Sequence, residues 1–170
     1  MALLARLPMR TATRRDLPRI VEIYNDSIPG RMATADTEPV SVASREAWFA
    51  AHGPRRPLWV LEVEGRIVGW LSFRDFYGRP AYRCTAEIGL YLDPAYQGRG
   101  HGRSLLAEAV STAPTLGLDT LLAFVFAHNA ASLALFERQG FARWGLLPEV
   151  AEMDGVRRSL AILGLRLRHA

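Results

Sequence analysis

The sequence predicts one α/β domain built around a mostly antiparallel β-sheet. Two apolar strands, 58–63 and 66–74, flank a Glu-Gly turn signal and predict a β-hairpin. A third strand, 85–92, leads into a glycine-punctuated loop and then into an amphipathic helical pattern. A continuous apolar run over 120–126 follows this helix, so the middle of the chain is predicted to form a strand–helix–strand crossover.

The chain has 170 residues, of which 49% are hydrophobic and 22% are charged, as in an ordinary globular protein. This length predicts a single domain over residues 1–170. No apolar run approaches the roughly 20 residues that a membrane span needs, and residues 1–8 are too short for a signal peptide. The single cysteine, Cys84, leaves no internal disulfide and is typical of a reducing compartment. We therefore expect a cytoplasmic protein that does not enter a membrane.

The net charge of +4 comes from arginine. A basic surface can attract nucleic acid, but these arginines are scattered and form no run. We therefore predict no nucleic-acid partner. The arginines are expected either on a solvated face or, for Arg99 and Arg103, beside an anionic cofactor.

The first third of the chain predicts one short strand, over 10–12, and two helices. Asp16 is the expected N-cap of the first helix, in which apolar residues recur at helical spacing until residues 29–30. A polar loop over 32–39 separates it from a second short helix over 43–51.

The helix after the glycine loop is expected to end near Ala113, before a proline. Asn129 is a good N-cap for a further helix over 130–138. Strands over 141–146 and 158–165 complete the chain. The predicted order is therefore β-α-α-β-β-β-α-β-α-β-β, without internal repeats.

The loop after strand 85–92 has the composition of a phosphate-binding turn. Its glycines stand at positions 98, 100 and 102, where a helix begins. Glycine allows close approach and positive φ, while backbone N–H groups and the helix dipole attract an anion. The spacing fits neither a Walker A loop nor the dinucleotide fingerprint. It is instead Gln-x-x-Gly-x-Gly.

This pattern resembles the acyl-CoA pyrophosphate loop of the GNAT superfamily of N-acetyltransferases. One strand downstream, the segment from Asn129 to Phe141 resembles the second signature of that superfamily, Asn-x-x-Ser/Ala-x-x-Leu-Tyr-Glu-x-x-Gly-Phe. The resemblance implies the GNAT fold, a mixed and mostly antiparallel sheet of about seven strands flanked by about four helices and splayed between strands 4 and 5. It also implies acetyl-CoA as the cosubstrate.

The resemblance further implies which residues contact acetyl-CoA. The strand before the loop would pair its backbone with the pantetheine arm, as an added strand would, and the loop would cradle the pyrophosphate. Asn129 would hydrogen-bond the pantetheine, although a plain helix cap is the alternative and both roles are compatible. The expected contacts are Leu90, Tyr91, Leu92, Gln97, Gly98, Arg99, Gly100, His101, Gly102, Arg103, Asn129, Ser132 and Phe136.

Segments in the first half of the chain narrow the resemblance to phosphinothricin N-acetyltransferases and their relatives that acetylate methionine sulfoximine and methionine sulfone. They are Ile23-Tyr24-Asn25, Ala33-Thr34-Ala35, Glu38-Pro39, Trp48-Phe49 and the run from Arg79 to Leu92. The resemblance implies a small amino-acid-like acceptor with a primary amine. It also implies a homodimer.

Acetyl transfer to an amine requires a base, and Glu87 is the candidate. It lies near the start of strand 85–92, where the family places a general base that usually acts through water. A carboxylate in a partly apolar cleft has a raised pKa, which suits a base. The alternative is that Glu87 is a surface or ion-paired strand residue. A backbone N–H near Leu90 or Tyr91 could bond the thioester carbonyl oxygen.

Two positions depart from the family pattern. Phe136 stands where the family often has a Tyr that protonates the CoA thiolate, and phenylalanine has no proton to donate; solvent, Tyr82 or Tyr91 are the alternatives. The segment 154–159 lacks the Trp and Asp that relatives carry before their last strand, which leaves the acceptor open.

The loop before strand 85–92 offers three residues that could hold the carboxylate of an acceptor, since guanidinium groups pair with carboxylates bidentately. They are Arg79, Tyr82 and Arg83; the alternative is that they are solvated loop residues. No Cys, His or carboxylate cluster has metal-ligand spacing, so we predict no metal site. Two other functions stay open, a protein N-terminal acetyltransferase and a non-catalytic acyl-CoA-binding module.

Overall fold

The structure is a computed structural model that describes residues 8–167. Its strands are β1 (Met9–Thr11), β2 (Leu58–Val63), β3 (Arg66–Asp75), β4 (Thr85–Leu92), β5 (Thr120–Phe126), β6 (Ala142–Met153) and β7 (Val156–Arg166). Its α-helices are α1 (Leu17–Asp26), α2 (Glu46–Ala50), α3 (His101–Thr112) and α4 (Ala130–Arg138). Among these helices, none has the length and apolar character of a membrane span.

The strands form one sheet in the order β1-β2-β3-β4-β5-β7-β6. Only β4 and β5 are parallel neighbours, and they pair only where residues 85–87 face residues 120–122. Beyond these residues β4 stays paired with β3, and β5 with β7. A gap therefore opens between β4 and β5, which confirms the predicted GNAT fold with its splay at this position.

Helices α3 and α4 cover one face of the sheet. Ile88 of β4 lies there in the larger buried cluster with Leu105 and Leu106 of α3 and Phe136 of α4. Side chains alternate across a strand, so every second residue of β4 and β5 points into this cluster. The cluster fixes α3 against the strand that leads into the glycine loop.

Helices α1 and α2 lie on the opposite face. Ile20 and Ile23 of α1 pack there against Val60 of β2 and Trp70 of β3. The indole N–H of Trp70 donates a hydrogen bond to the carbonyl of Ile20, over 3.1 Å. Because that indole is buried, this bond satisfies its one polar group and fixes α1 over the centre of the sheet.

The last two strands are longer than predicted. β6 spans 12 residues and β7 spans 11, and they are joined by a turn in which both Asp154 and Gly155 have positive φ. Periodicity underestimates β6 because most of its side chains are exposed and Pro148 interrupts its pattern. On an edge strand a proline can face away from the ladder, and the β6–β7 register shifts between Leu147 and Ala151.

Asp16 stands at the N-cap position of α1, as predicted, but its side chain makes no capping hydrogen bond to that helix. Thr13 is the N-cap of a short 3-10 turn, Arg14–Asp16, that precedes α1, and Asp16 closes a capping box with it. The Asp16 carboxylate accepts a hydrogen bond of 2.6 Å from the Thr13 backbone N–H and pairs with Arg10 at 2.7 Å. An aspartate before a helix has the same sequence signal whether its side chain caps that helix or closes a capping box in a preceding turn. The 3-10 turn, which the sequence did not reveal, gives Asp16 the second role.

Candidate active site

The gap between β4 and β5 leaves a strand edge free. Within the described chain, residues 88–92 of β4 pair with β3 but have no strand partner on the β5 side. Backbone groups on this side can therefore bond an extended ligand as a further strand would. Leu90, Tyr91 and Leu92, the predicted pantetheine contacts, all lie on this edge.

Two glycines in left-handed conformations shape the loop ahead of α3. The φ angle is +72° at Gly98 and +85° at Gly100, which side chains rarely adopt. Gly100 is the N-cap of α3. The first backbone N–H groups of α3 have no acceptor within the helix, and together with the helix dipole they favour an anion.

Gly102 serves a packing role in the first turn of α3. A Cβ atom at this position would lie 3.3 Å from the Leu92 side chain and 3.5 Å from that of Leu135. Because glycine has no Cβ atom, α3 can approach both β4 and α4 closely. The remaining predicted side chains of this loop are exposed or half-buried around it: Gln97, Arg99, His101 and Arg103.

The free edge and the loop fit an acyl-CoA cosubstrate, because they offer backbone groups for an extended amide arm and N–H groups for a diphosphate. Arg99 and Arg103 lie in the same segment and are exposed, and the Arg99 guanidinium lies 5.1 Å from the centre of the Tyr96 ring. When bound, acetyl-CoA supplies the activated acetyl thioester. Among residues 8–167, no cluster of His, Cys, Asp and Glu side chains has the arrangement of a metal site.

Glu87 lies at the apex of the gap. It is the last residue of β4 that pairs with β5, and it faces Arg74 across the β3–β4 ladder. Burial raises the pKa of the Glu87 carboxyl, and the positive charge of Arg74 partly offsets this rise. A carboxylate with a raised pKa at this position has the property expected of a general base.

A cavity of about 570 Å³ opens beside Glu87 on the α1 side of the sheet. Glu87, Gly89 and Tyr91 line it from β4, and Phe124 and Phe126 line it from β5. The cavity therefore adjoins both strands where they part. An acceptor held in it would lie next to the free edge of β4.

The absence of a side chain at Gly89 keeps this region open. A Cβ atom there would lie 2.9 Å from the hydroxyl oxygen of Ser72 on the neighbouring strand. A side chain at this position would therefore force Ser72 or the strand to shift at the wall of the cavity.

Stacked aromatic rings form one wall of the cavity. The Tyr91 ring stacks on Trp70 with centroids 4.7 Å apart and meets Tyr24 at 5.1 Å. Trp48 of α2 packs on Trp70 with centroids 5.3 Å apart. These rings are rigid and mostly apolar, so they define the shape of the cavity.

A polar network forms another wall. The hydroxyl of Tyr24 hydrogen-bonds Thr34 and donates to the Asp36 carboxylate. Arg45 pairs with Asp36 over 2.9 Å and lies 4.8 Å from the centre of the Tyr24 ring. Sequence reasoning assigned no site role to Arg45, Arg74 or this network. The quoted segments around Tyr24, Thr34 and Trp48 were the only signal that could have pointed to it.

The second motif contributes to the helix and the core. Asn129 caps α4 as predicted, because its side-chain oxygen accepts the Ser132 backbone N–H over 3.1 Å. Ser132 is half-buried in the first turn. Phe136 is 5% exposed and meets Phe141 edge to face with centroids 5.1 Å apart. The structure thus places the Phe136 ring in the core.

The structure does not bring Arg79, Tyr82 and Arg83 together with Glu87. They line a separate hollow of about 360 Å³, beyond the start of β4. The cations that do line the Glu87 cavity are Arg45 and Arg74. The ability of guanidinium groups to pair with a carboxylate suggested the loop arginines, whereas the β3–β4 ladder brings Arg74 directly opposite Glu87.

A comparison of sequences decides the family. The profile of the Acetyltransferase (GNAT) family matches residues 17–141, a range that includes Glu87, the glycine loop and the α4 motif. The chain belongs to the GNAT acetyltransferase family. This assignment confirms the resemblance on which the predicted enzyme class rests.

Relatives within the GNAT family match almost the whole chain. A Bacillus subtilis protein, YwnH, described as a candidate phosphinothricin acetyltransferase, is 53% identical over 95% of this chain and 99% of its own. An L-methionine sulfoximine/L-methionine sulfone acetyltransferase of Pseudomonas paraeruginosa is 33% identical over 94% of each chain. A Sinorhizobium meliloti GNAT superfamily phosphinothricin acetyltransferase, crystallised with acetyl-CoA, superposes with a TM-score of 0.89 at 30% identity, over 95% of this chain and 89% of its own.

Proposed function

We propose that this enzyme transfers the acetyl group of acetyl-CoA to the primary amine of a small amino-acid-like acceptor, such as phosphinothricin, methionine sulfoximine or methionine sulfone. One observation carries the proposal: Glu87, with a raised pKa, lies where the free edge of β4 meets the 570 Å³ cavity. The names of the relatives agree with this acceptor class.

In the proposed mechanism Glu87 takes a proton from the acceptor ammonium, directly or through water. The free amine attacks the thioester carbon, and a backbone N–H near Leu90 or Tyr91 stabilises the oxyanion. The C–N bond forms, the nitrogen gives up its second proton to solvent, and the C–S bond breaks, so that the electron pair of that bond leaves with sulfur. Glu87 contributes about 10²–10⁴-fold to the rate as a general base.

The proton that neutralises the CoA thiolate is proposed to come from solvent. Tyr91 is a poor proton donor, because burial raises the pKa of its hydroxyl and the neighbouring Tyr24 raises it further. The Tyr91 hydroxyl also already donates a hydrogen bond to the carbonyl of Ala33 over 3.1 Å. Tyr82 lies in the separate hollow. Phe136 has no acidic group.

We propose that Arg74 and Arg45 receive the acceptor carboxylate, since both line the cavity with Glu87. Arg79, Tyr82 and Arg83 stay a competing prediction from the sequence. Variants Arg74→Gln and Arg79→Gln distinguish these two predicted carboxylate sites. Only replacement of the arginine that binds the carboxylate should raise the acceptor KM, by about tenfold or more.

Coenzyme A release, measured with phosphinothricin, methionine sulfoximine, methionine sulfone and a panel of amino acids and peptides, tests the proposed function. Turnover of at least one small acceptor is expected, with Glu87→Gln slowing it about 10²–10⁴-fold. Acetyl-CoA binding without any turnover would leave a non-catalytic module, and a preference for peptide N-termini would indicate a protein acetyltransferase.

We also propose that the enzyme is a homodimer, as its family resemblance implies. Several large apolar side chains are exposed on the edge strand β6 and on the first residue of β7. They are Trp144, Leu146, Leu147, Val150 and Val156. Large apolar side chains exposed along one edge strand are a common feature of interaction sites. A second copy of the chain is the proposed occupant.

A further inference from the structure

One segment of the chain, residues 31–36, bridges the mouth of the gap between β4 and β5. Its first three backbone carbonyls, at positions 31, 32 and 33, each accept one side-chain hydrogen bond. His128 bonds the carbonyl of Arg31 over 2.9 Å, Asn129 bonds that of Met32 over 3.1 Å, and Tyr91 bonds that of Ala33 over 3.1 Å. Tyr91 belongs to the end of β4, whereas His128 and Asn129 follow β5. The bridging segment is therefore tied to both strands that part.

The orientation of both β5-side groups is fixed by chemistry. A carbonyl oxygen can only accept, so the His128 nitrogen that faces it, Nε2, carries the hydrogen. The Asn129 side chain must present its oxygen to the Ser132 N–H, over 3.1 Å, and hence its NH₂ to Met32. Asn129 thus uses one end to cap α4 and the other to hold the bridging segment.

The backbone of the bridging segment needs such support. Arg31 has a φ angle of +54°, a conformation that persists only where the surroundings hold it. Its side chain also pairs with Asp154 of the β6–β7 turn over 2.8 Å and donates to the carbonyl of Thr37 over 2.9 Å. The Arg31 side chain thus ties the segment both to the β6–β7 turn and to the loop that follows the segment.

The other end of the bridging segment forms the wall of the acceptor cavity. Thr34 and Asp36 line this cavity and form hydrogen bonds with the Tyr24 hydroxyl. Asp36 also forms a salt bridge with Arg45. Any movement of residues 31–33 therefore displaces the groups that shape the cavity. No group in this chain of contacts needs to touch the reacting atoms.

We propose that His128 and Asn129 are positioning residues for the acceptor, which act by holding the bridging segment across the gap. This inference rests on the proposed function, because it takes the Glu87 cavity as the acceptor site. It differs from the role that family resemblance implies for Asn129, a direct hydrogen bond to the pantetheine. The two roles predict opposite effects on acceptor and cosubstrate.

Asn129→Asp tests the inference with little change of shape. Aspartate keeps the oxygen that caps α4 but replaces the NH₂ donor with an acceptor that repels the Met32 carbonyl. Loss of this bond is expected to raise the acceptor KM about fivefold to tenfold or more, whereas the acetyl-CoA Kd should stay within about twofold. His128→Ala should act in the same direction, and His128→Gln, which can place an amide N–H near Nε2, should restore most of the loss.

Hydrogen exchange of the amides in residues 31–36 gives a second readout that does not depend on activity. Faster exchange confined to this segment is expected in Asn129→Asp and His128→Ala, with wild-type exchange in α4. A weaker acetyl-CoA Kd with an unchanged acceptor KM would overturn the inference in favour of cofactor binding, as would unchanged exchange of the segment. If the wild-type enzyme acetylates no small acceptor, the proposed function fails, and the exchange measurement still decides whether these residues hold the segment.

Discussion

At the scale of single residues, the proposed role of Glu87 as general base depends on the balance of two effects on the pKa of its carboxyl. Burial disfavours the charged carboxylate, while the positive charge of Arg74 across the ladder favours it. Burial has the larger effect, so the pKa of the Glu87 carboxyl is raised overall. The carboxyl thus becomes a stronger base than an exposed glutamate. Removal of the Arg74 charge should move the pKa further upward.

The pH dependence of the rate follows from this balance. Because the base acts when deprotonated, we expect kcat of the wild-type enzyme to fall as pH decreases through the raised pKa of Glu87. Glu87→Gln should lose about 10²–10⁴-fold in kcat and should also lose this acidic limb. Initial rates of coenzyme A release from pH 5 to 9 would measure both effects.

Glu108→Gln is the matched control, since Glu108 is an exposed residue of α3 and should keep the wild-type profile. The folded-state pKa of Glu87 exceeds its unfolded value, so the wild-type protein loses stability as pH rises through this interval. Glu87→Gln should therefore melt no earlier than the wild type at pH 7. An acidic limb that persisted in Glu87→Gln would assign the base elsewhere.

The position of Glu87 beside the gap was predictable because this residue lies next to a strong local pattern, a strand that leads into a glycine loop; its role as the base stays a prediction. The positions of Arg74 and Arg45 were not predictable, since each reaches the cavity through the register of a ladder or the packing of a helix. Phe136 shows a similar limit: its place in a motif predicted cofactor contact, but a phenylalanine on the buried face of α4 packs on Phe141. Local sequence fixes which residue types are present, and tertiary packing decides what they face.

At the scale of elements, the loop before α3 combines backbone strain with the N–H groups that we expect to bind the diphosphate. Gly100 has φ +85° and no atoms within 4 Å of a Cβ built on it, so alanine there would be strained without a clash. Gly100→Ala should cost about 1–2 kcal/mol of stability and should also weaken acetyl-CoA binding at least tenfold, because the N–H groups at the start of α3 would be displaced. Thermal melting and titration calorimetry with acetyl-CoA measure the two effects.

Gly65 offers a matched control in the β2–β3 turn, with φ +75° and equally open space around it. Gly65→Ala should show a similar loss of stability and an unchanged Kd for acetyl-CoA. Equal effects of both substitutions on binding would mean that the loop has no special part in holding the diphosphate.

The junction of β1 and α1 depends on Asp16. The hydrogen bonds from Arg10 lower the pKa of its carboxyl despite burial, and the Thr13 N–H assists them. Stability from this group is present above the unfolded-state pKa near 3.9 and is lost as pH falls through the lower folded-state pKa. We expect Asp16→Asn to be less stable than the wild type at pH 7 and the difference to shrink below pH 4.

Chemical denaturation at pH 7 and pH 3 would measure this change. Asp26→Asn, at an exposed position near the end of α1, is the control and should leave stability unchanged at both values. A loss of stability that is the same at pH 7 and pH 3 would mean that packing, and not the charge of Asp16, holds the junction.

Most elements were predictable to within a few residues because they combine apolar periodicity with clear breakers. The β6–β7 hairpin was not, since a strand exposed on both faces lacks the alternation that reveals a strand. The 3-10 turn before α1 also lay beyond prediction, because Asp16 has the same residue signal in either geometry. Both errors thus occur where the sequence shows no alternation of buried and exposed residues that would reveal the local structure.

At the scale of the whole molecule, the parting of β4 from β5 organises both sites. The resemblance to the GNAT superfamily predicted this gap, because it implies a splay between the strand before the glycine loop and the strand before the second motif. The path of residues 31–36 across the mouth of the gap could not be predicted, since it depends on contacts between residues about a hundred positions apart, such as Asn129 and Met32. A polar loop in the sequence therefore connects the two strands that part with the wall of the cavity beside Glu87.

The last prediction concerns the exposed face of β6. Within the described chain β6 pairs only with β7, and an unprotected apolar edge strand is prone to association. Leu146 is 49% exposed on this strand, so Leu146→Glu should place a charge in the proposed dimer interface without disturbing the core. We expect sedimentation velocity to give a dimer for the wild type and a monomer for the variant.

Ala107→Glu adds the same charge at an exposed position of α3 and should remain dimeric. Val150 of β6 also lines the acceptor cavity, so a partner seated on β6 would lie at the rim of that cavity. The monomeric variant should then show a higher acceptor KM with an unchanged acetyl-CoA Kd, because the glycine loop lies at the far side of the gap. A wild-type monomer, or a Leu146→Glu dimer, would show that β6 is not the surface through which two copies meet.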